Sequence, residues 1–276
     1  MMDDRYGPWA LIVGGSDGIG AAFADALAAR GIHLVLVARR QAVLHDLARQ
    51  VRAAHGVEVW TAPIDASTAE APEQIARTID GLDVGLLVCN AAAAPVGPFL
   101  DMAPGRLDAV LDLNCRLAAH LSHVVGGRLA RRGRGGIVLL SSMAGAQGTA
   151  QVAHYAATKA YLRVLAEGLW AELRPSGVDV LAVCPGLVAT PTFHASRARR
   201  ATMVPPPVSP ESVVKEALAA LGRRPVVIPG WRNRLAAAAA QRLLTRRAAV
   251  SLASARTRAM YPTESRRSAP AGAPDG

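Results

Sequence analysis

A tyrosine and a lysine lie four residues apart in one predicted helix and could act together as an acid–base pair. Tyr155 and Lys159 fall within the stretch 152–172, whose apolar residues recur at helical spacing, so both side chains share one helix face. A free phenol has a pKa of ~10, and a neighbouring ammonium lowers that pKa because it favours the phenolate. We therefore predict proton transfer by Tyr155 near neutral pH. The structural alternative is that both side chains extend from an amphipathic helix into solvent.

A serine follows the strand predicted to precede this helix. Ser142 comes directly after the apolar stretch 136–140 and the adjoining Ser141. Ligands of open α/β sheets bind beyond the carboxyl ends of the strands. The hydroxyl of Ser142 is therefore predicted to lie where a substrate would bind.

A glycine-rich turn connects the first predicted strand, 9–13, to a helix. Its sequence is Gly14-Gly15-Ser16-Asp17-Gly18-Ile19-Gly20. Main-chain amides at such a helix start can bind a pyrophosphate, and glycines allow close approach. The spacing is G-x3-G-x-G, and any tight turn favours glycine. The place of this turn after the first strand of an alternating pattern is what favours dinucleotide binding.

Two arginines follow the second predicted strand, 33–38, and bear on the choice of dinucleotide. Arg39 and Arg40 stand there, and no acidic residue occurs within 32–45. NAD sites usually have a carboxylate at this point for the ribose 2′-hydroxyl, whereas guanidinium groups pair with a 2′-phosphate. The sequence thus predicts NADP(H) rather than NAD(H), although Asp17 could repel a phosphate. Alternatively, the arginines only face solvent at a strand end.

Strands and helices alternate along most of the chain. Strands are predicted at 9–13, 33–38, 57–62, 84–88, 136–140, 178–183 and 225–228, and the main helices at 43–54, 69–79, 104–129, 152–172 and 210–221. Such alternation predicts an α/β fold, a Rossmann-like doubly wound parallel sheet with helices on both faces. A length of 276 residues with 51% hydrophobic residues suits a single domain of this kind.

The cysteines and the apolar segments indicate the compartment. Three cysteines form no C-x-x-C pair, so buried free thiols in a reducing environment are expected. We find no apolar leader and no apolar run of 18 residues, and we expect a cytoplasmic protein. No metal site is predicted, because His120 and His123 lack a third ligand at suitable spacing.

Positive charge is concentrated near the C-terminus. The net charge is +10, and residues 223–276 hold 11 basic and 2 acidic side chains. We predict a catalytic domain at 1–230 with a substrate lid at 187–222, a basic helical extension at 231–262 and a disordered tail at 263–276. The lid contains the basic cluster Arg197, Arg199 and Arg200.

Several of these motifs occur together in the order typical of one family. Over residues 9–230 the chain resembles the short-chain dehydrogenase/reductase family. The resemblance rests on Gly14, Gly18 and Gly20, on Asn90-Ala91, on Asn114, on Ser142, on Tyr155-x3-Lys159 and on Pro185-Gly186-x3-Thr190.

This resemblance implies roles for individual residues. The catalytic set would be Asn114, Ser142, Tyr155 and Lys159, with Lys159 also bonding the nicotinamide ribose and Asn114 binding a water that supplies protons. Ser141 and His154 would lie outside it. Cofactor contacts would come from Gly14, Ser16, Asp17, Gly18, Ile19, Gly20, Arg39, Arg40, Asp65, Ala66, Asn90, Ala91, Tyr155, Lys159, Pro185, Gly186, Val188 and Thr190. Asp65 and Ala66 would contact the adenine, and the last four residues the carboxamide.

The predicted function is an NADP(H)-dependent oxidoreductase that interconverts a ketone or aldehyde with an alcohol on an apolar small molecule. The alternative is a cofactor-binding protein of the same fold with a regulatory or non-redox role. The resemblance also implies a homodimer or homotetramer through two long helices. For 231–260 we favour a helix that covers the sheet edge or forms a subunit contact over one that binds a membrane surface. Few aromatics accompany the arginines, so nucleic-acid binding is not predicted.

Overall fold

A parallel seven-stranded sheet forms the centre of the protein. The computed structural model describes residues 2–196 and 204–262. The strand order is β3-β2-β1-β4-β5-β6-β7, and neighbouring strands run parallel. The strands are β1 (Trp9–Val13), β2 (His33–Val37), β3 (Val59–Ala62), β4 (Val84–Cys89), β5 (Gly135–Leu140), β6 (Val178–Val183) and β7 (Val226–Val227). The predicted doubly wound parallel sheet is confirmed.

Helices cover both faces of this sheet. They are α1 (Met2–Tyr6), α2 (Gly18–Ala28), α3 (Gln41–His55), α4 (Ala71–Thr78), α5 (Pro104–Leu111), α6 (Leu117–Arg132), α7 (Ala153–Leu173), α8 (Pro191–Ala195), α9 (Pro210–Ala220), α10 (Trp231–Leu243) and α11 (Arg246–Met260). Helices α2, α3 and α9 contribute to one apolar core cluster, and α4, α6 and α7 to the other.

The strand residues supply both cores because neighbouring side chains point to opposite faces. In β1, Ala10 and Ile12 belong to one cluster, while Leu11 and Val13 belong to the other. All five β1 residues are buried. Such strands are apolar throughout rather than alternating, as is typical of a parallel sheet covered on both faces.

The structure differs from the predicted elements in four places. The helix predicted at 104–129 is interrupted by a π turn over Asp112–Arg116. A short helix, α8, forms within the stretch expected to be irregular, and α1 precedes the first strand. The helix predicted at 231–260 is two helices, because Leu244 adopts an extended conformation and Thr245 caps α11.

Other predictions are confirmed, and some concern residues that the structure does not describe. Ser209 caps α9 by accepting a hydrogen bond from the Ser212 amide at 3.2 Å, with Pro210 at the first helical position. All three cysteines are buried and free. The basic cluster at 197–200 and the tail at 263–276 lie outside the described residues. Within residues 2–196 and 204–262, no helix has the length and apolarity that a membrane span requires.

The topology determines where a ligand can bind. β1 lies between β2 and β4, so the chain winds one way from β1 to β3 and the other way from β4 onward. At such a switch point the loops after neighbouring strands diverge and leave a crevice at their carboxyl ends. The glycine turn follows β1, and Asn90 follows β4.

Candidate active site

Two adjoining cavities open along the carboxyl edge of the sheet. The first, here the nucleotide cleft, has a volume of about 680 Å³ and is lined by the glycine turn, the end of β2 and the loops after β3 and β4. The second, here the Tyr155 cavity, has a volume of about 770 Å³. Both are lined by Ile19, Asn90, Ala92 and Thr190. A ligand in the cleft would therefore extend into the Tyr155 cavity.

The glycine turn is pressed against the loops that follow β4 and β6. Gly14 has φ of +83° and Gly18 has φ of +51°, a backbone region that glycine adopts without steric cost. A Cβ at Gly14 would come within 2.5 Å of the Ala91 amide nitrogen, and one at Gly18 within 2.8 Å of Thr190 Cγ2. Both glycines are therefore required for this close approach.

Two ion pairs join the arginines after β2 to carboxylates in the cleft. Arg40 Nη2 lies 3.0 Å from Asp17 Oδ2, and Arg39 Nη1 lies 3.7 Å from Asp65 Oδ2. Hydrogen bonds from the Ser67 hydroxyl and amide, with a smaller effect of Arg39, lower the pKa of Asp65. Both arginines are more than half exposed, so their guanidinium groups can reach a ligand in the cleft.

Three of the four predicted catalytic side chains line the Tyr155 cavity. Tyr155, Lys159 and Ser142 all line it. Lys159 Nζ lies 5.7 Å from the centre of the Tyr155 ring and donates a hydrogen bond to the Leu140 carbonyl at 2.6 Å. Ser142 Oγ accepts a hydrogen bond from the Ala144 amide at 3.1 Å. A phenol, a hydroxyl and an ammonium in this arrangement can bind and protonate a carbonyl oxygen.

The protonation of these groups differs from the expectation based on spacing. Burial raises the pKa of Tyr155 above its ordinary value, and a hydrogen bond with Ser142 opposes that rise. Burial lowers the pKa of Lys159 to about 8. The predicted lowering of the phenol pKa is thus wrong for this structure, because loss of water has the largest effect on the phenol and raises its pKa.

Asn114 is buried in the π turn and forms a link between two elements. Its Nδ2 donates to the Ala93 carbonyl and to Thr158 Oγ1, both at 2.9 Å, and its Oδ1 accepts from the Ala93 amide at 2.8 Å. Thr158 precedes Lys159 on α7. Both Nδ2 hydrogens are therefore engaged by protein atoms, and the water-binding role of Asn114 stays a prediction.

Two neighbours of the predicted catalytic set have structural contacts. Ser141 is buried and its hydroxyl donates to the Lys159 carbonyl at 2.6 Å, which connects β5 to α7. His154 Nε2 lies 3.0 Å from the Leu107 carbonyl, and its ring contacts Phe99. Ser141 lines the Tyr155 cavity, but its hydroxyl hydrogen is engaged by the Lys159 carbonyl, and His154 lines neither cavity.

Most predicted cofactor contacts lie along these two cavities. In the nucleotide cleft are Gly14, Ser16, Asp17, Gly18, Ile19, Arg39, Arg40, Asp65, Ala66, Asn90, Ala91 and Thr190. In the Tyr155 cavity are Tyr155, Lys159, Pro185, Gly186, Val188 and again Thr190. Gly20 lines neither cavity; it is buried in α2, and a side chain there would collide with the Gly14 carbonyl.

The sequence did not indicate several cavity residues. Arg106 on α5 lines the nucleotide cleft. Helices α10 and α11 form much of the wall of the Tyr155 cavity, with Arg246, Arg256 and Tyr261 among the lining residues. Alanines at 236, 237, 240, 249 and 253 line the same wall, and their recurrence at helical spacing was the available signal.

Comparison with known proteins assigns the class. The model of the short chain dehydrogenase family matches residues 8–201. The chain belongs to the short-chain dehydrogenase/reductase family and is accordingly an oxidoreductase. This confirms the resemblance inferred from the motifs.

Two individual relatives each match most of this chain. The chain is 30% identical over 231 residues to 7beta-hydroxysteroid dehydrogenase from Clostridium sardiniense, covering 84% of this chain and 88% of that protein. It is 38% identical over 223 residues to very-long-chain 3-oxoacyl-CoA reductase from Podospora anserina, covering 79% of this chain but only 64% of that protein. This chain therefore matches less than two thirds of the reductase.

Solved structures show the same likeness. A 7beta-hydroxysteroid dehydrogenase structure superposes with a TM-score of 0.85 at 28% identity, covering 91% of this chain and 98% of that one. A short-chain dehydrogenase from Sphingobium yanoikuyae in complex with NADPH gives a TM-score of 0.73 at 31% identity, covering 80% and 87% of the two chains.

Proposed function

We propose that the protein is an NADP(H)-dependent oxidoreductase that interconverts a ketone and a secondary alcohol on an apolar substrate. One observation carries the proposal: the hydroxyls of Tyr155 and Ser142 line a cavity that adjoins the glycine-lined cleft. A carbonyl oxygen at that point would meet both hydroxyls, with a hydride donor beside it.

The nucleotide cleft fits a phosphorylated dinucleotide. Side chains at Gly14 or Gly18 would obstruct the turn, whose amides suit a pyrophosphate. Arg39 and Arg40 would bind the 2′-phosphate, and in this structure each forms an ion pair with a carboxylate. The NADPH complex of the Sphingobium relative supports this preference. When bound, the nicotinamide supplies the hydride for the carbonyl carbon.

Proton transfer is assigned to this chain's own groups. The raised pKa of Tyr155 keeps the phenol protonated at neutral pH, so it can donate that proton to the carbonyl oxygen. Ser142 donates a hydrogen bond to the same oxygen and stabilises the charge that develops on it. Lys159, with a pKa of about 8, is mainly an ammonium at pH 7 and stabilises the phenolate that remains.

Asn114 acts in this scheme as a positioning residue. Its bonds to Ala93 and Thr158 connect the loop after β4 to the α7 turn that precedes Lys159. A π turn at Asp112–Arg116 leaves a main-chain carbonyl outside the regular helical pattern. We assign the reprotonating water to such a carbonyl rather than to the amide side chain.

The cavity favours an apolar substrate body. Its wall includes Met143, Val152, Phe193, Leu244 and Met260. The named activities of two relatives, on a hydroxysteroid and on a very-long-chain 3-oxoacyl-CoA, also concern substrates with large apolar parts. Residues 231–262 are therefore proposed to belong to the substrate-binding unit.

A cofactor-dependent ketone assay tests the function. Wild type is supplied with cyclic and linear apolar ketones and with NADPH or NADH, and loss of the reduced nicotinamide absorbance is followed. Tyr155→Phe should lose at least ~100-fold in kcat while its NADPH affinity, measured by fluorescence, stays within about twofold. Tyr161→Phe, on the exposed side of the same helix, is the matched control and should retain activity. Full activity of Tyr155→Phe would remove the phenol from the mechanism.

The same assay also tests the alternative, a regulatory or non-redox role. A regulatory protein of this fold would bind NADPH and reduce none of the ketones.

We also propose that α6 and α7 pair two or more copies, because Tyr161 and Val164 on α7 are exposed at 44% and 66%. Light scattering of the purified protein measures the assembly, and a monomer at micromolar concentration would contradict it.

A further inference from the structure

The described lining of the Tyr155 cavity contains basic side chains and no acidic one. Four cationic side chains line it: Lys159, Arg163, Arg246 and Arg256. Among its lining residues within 2–196 and 204–262, none is Asp or Glu. An otherwise apolar cavity with this charge attracts an anionic ligand, and low polarity strengthens the attraction.

Three of these cations already have protein partners. Lys159 donates to the Leu140 carbonyl at 2.6 Å. Arg163 pairs with Glu167 at 3.0 Å, and Arg246 donates to the Ala146 carbonyl at 2.9 Å. Their charges or donors are therefore partly satisfied within the protein.

Arg256 differs from the other three. Its Nε is buried, and in the described part of the chain it has neither a hydrogen-bond partner nor a carboxylate within ion-pair distance. Arg256 as a whole is only partly buried and lines the cavity, so its charge can act on a ligand bound there. The partnerless cation and the charged cavity point to the same ligand chemistry.

Helix α11 is held in place beside the active-site loop. The hydroxyl of Ser254, a buried residue two positions before Arg256, accepts a hydrogen bond from the Ala150 amide at 3.0 Å. Ala150 lies in the segment between Ser142 and α7. The guanidinium is thus attached to the same framework that carries the proposed catalytic hydroxyls.

We propose that the substrate is an apolar carbonyl compound with a carboxylate group, and that Arg256 binds this carboxylate while Tyr155 and Ser142 bind the carbonyl oxygen. This inference rests on the ketone–alcohol function proposed above. A carboxylate can accept two parallel hydrogen bonds from a guanidinium. The apolar body lies along the alanine and methionine side chains of α10 and α11.

The test compares acids with their neutral esters. Linear oxo acids of about eight to eighteen carbons and their methyl esters are reduced by wild type, Arg256→Gln and Arg258→Gln. Arg258 lies on the same helix but is exposed and outside the cavity, so Arg258→Gln is the matched control. In wild type, kcat/KM should favour the best acid over its ester by ~10- to 100-fold, chiefly through KM.

The two arginine variants then separate the outcomes. In Arg256→Gln the acid-to-ester ratio should fall to about 1, and in Arg258→Gln it should stay at the wild-type value. A wild-type ratio near 1 overturns the proposal. A ratio that survives in Arg256→Gln but disappears in Arg246→Gln assigns the anion to Arg246 and overturns the role given to Arg256.

Binding measured without turnover keeps this proposal distinct from the redox function. Calorimetry with the Tyr155→Phe protein and NADP⁺ gives affinities for each acid and ester, whatever the catalytic role of the phenol. Tighter binding of the acid, lost in the Tyr155→Phe/Arg256→Gln double variant, supports the anion site even if the redox scheme fails. Absence of acid binding, or equal binding of acid and ester, contradicts it.

Discussion

Replacing the buried lysine by methionine should stabilise the fold while it abolishes activity. Lys159 is 3% exposed, and burial lowers its pKa from 10.5 to about 8. The folded protein therefore holds an ammonium at pH 7 at a cost in stability. Methionine has a similar unbranched shape and no charge, so Lys159→Met removes that cost.

The size of the effect follows from the pKa difference. A fall from 10.5 to about 8 corresponds to about 3 kcal/mol of unfolding free energy at neutral pH. The substitution also loses the hydrogen bond from Nζ to the Leu140 carbonyl, worth about 1 kcal/mol. The expected net gain is about 2 kcal/mol, or a rise in Tm of about 4 to 6 °C.

The pH dependence distinguishes this cause from better packing. Between pH 8 and 10.5 the unfolded lysine is protonated and the folded one is largely neutral, so wild-type stability from this group rises with pH. Below pH 8 its destabilising effect is fully present. The advantage of Lys159→Met should therefore be largest at pH 7 and close to zero near pH 10.

Urea unfolding at pH 7 and at pH 10 measures both quantities. Lys215→Met, which replaces the exposed lysine of α9, is the control and should change stability by less than ~0.5 kcal/mol. Ketone reduction by Lys159→Met should be lost in the same preparation. A variant less stable than wild type at pH 7, or a gain that does not depend on pH, would refute the reasoning.

Two substitutions in the glycine turn give further predictions. Asp17→Asn removes the ion pair with the half-exposed Arg40 but keeps an oxygen that accepts from the Gly18 amide. The affinity for NADPH should rise about 2- to 5-fold, with no rise for NADH. A fall in NADPH affinity would contradict the assignment of Arg40. Gly18→Ala adds backbone strain and a collision with Thr190, whereas Gly31→Ala adds strain alone. In urea unfolding, Gly31→Ala should lower the free energy of unfolding by about 1 kcal/mol and Gly18→Ala by clearly more. Equal losses would contradict the close contact between Gly18 and Thr190.

Local spacing was sufficient to predict that the proposed catalytic side chains share one cavity. A spacing of four residues puts Tyr155 and Lys159 on one helix face, and the end of a buried strand puts Ser142 in the same cavity. These relations depend only on helix and sheet periodicity. Their protonation was not predictable in that way, because it depends on how much water the surrounding elements exclude.

The role of the C-terminal helices was not accessible from composition. Residues 231–260 are rich in alanine and arginine, a pattern that also fits a solvent-exposed helix. In the structure the alanines line the Tyr155 cavity, and Arg256 stands among them. The break at Leu244 and Thr245, which turns one predicted helix into two, allows both segments to follow the cavity wall.

The use of lysine at a single buried position agrees with this chemistry. The chain has lysine only at 159 and 215, and arginine supplies its other basic side chains. A buried guanidinium stays charged at any accessible pH, whereas an ammonium can lose its proton when buried. With its pKa near 8, Lys159 can stabilise a phenolate and also release a proton to it. An arginine at 159 could stabilise the phenolate but could not release a proton to it. At 256 the proposed role is to bind an anion with a permanent charge, and arginine suits that role.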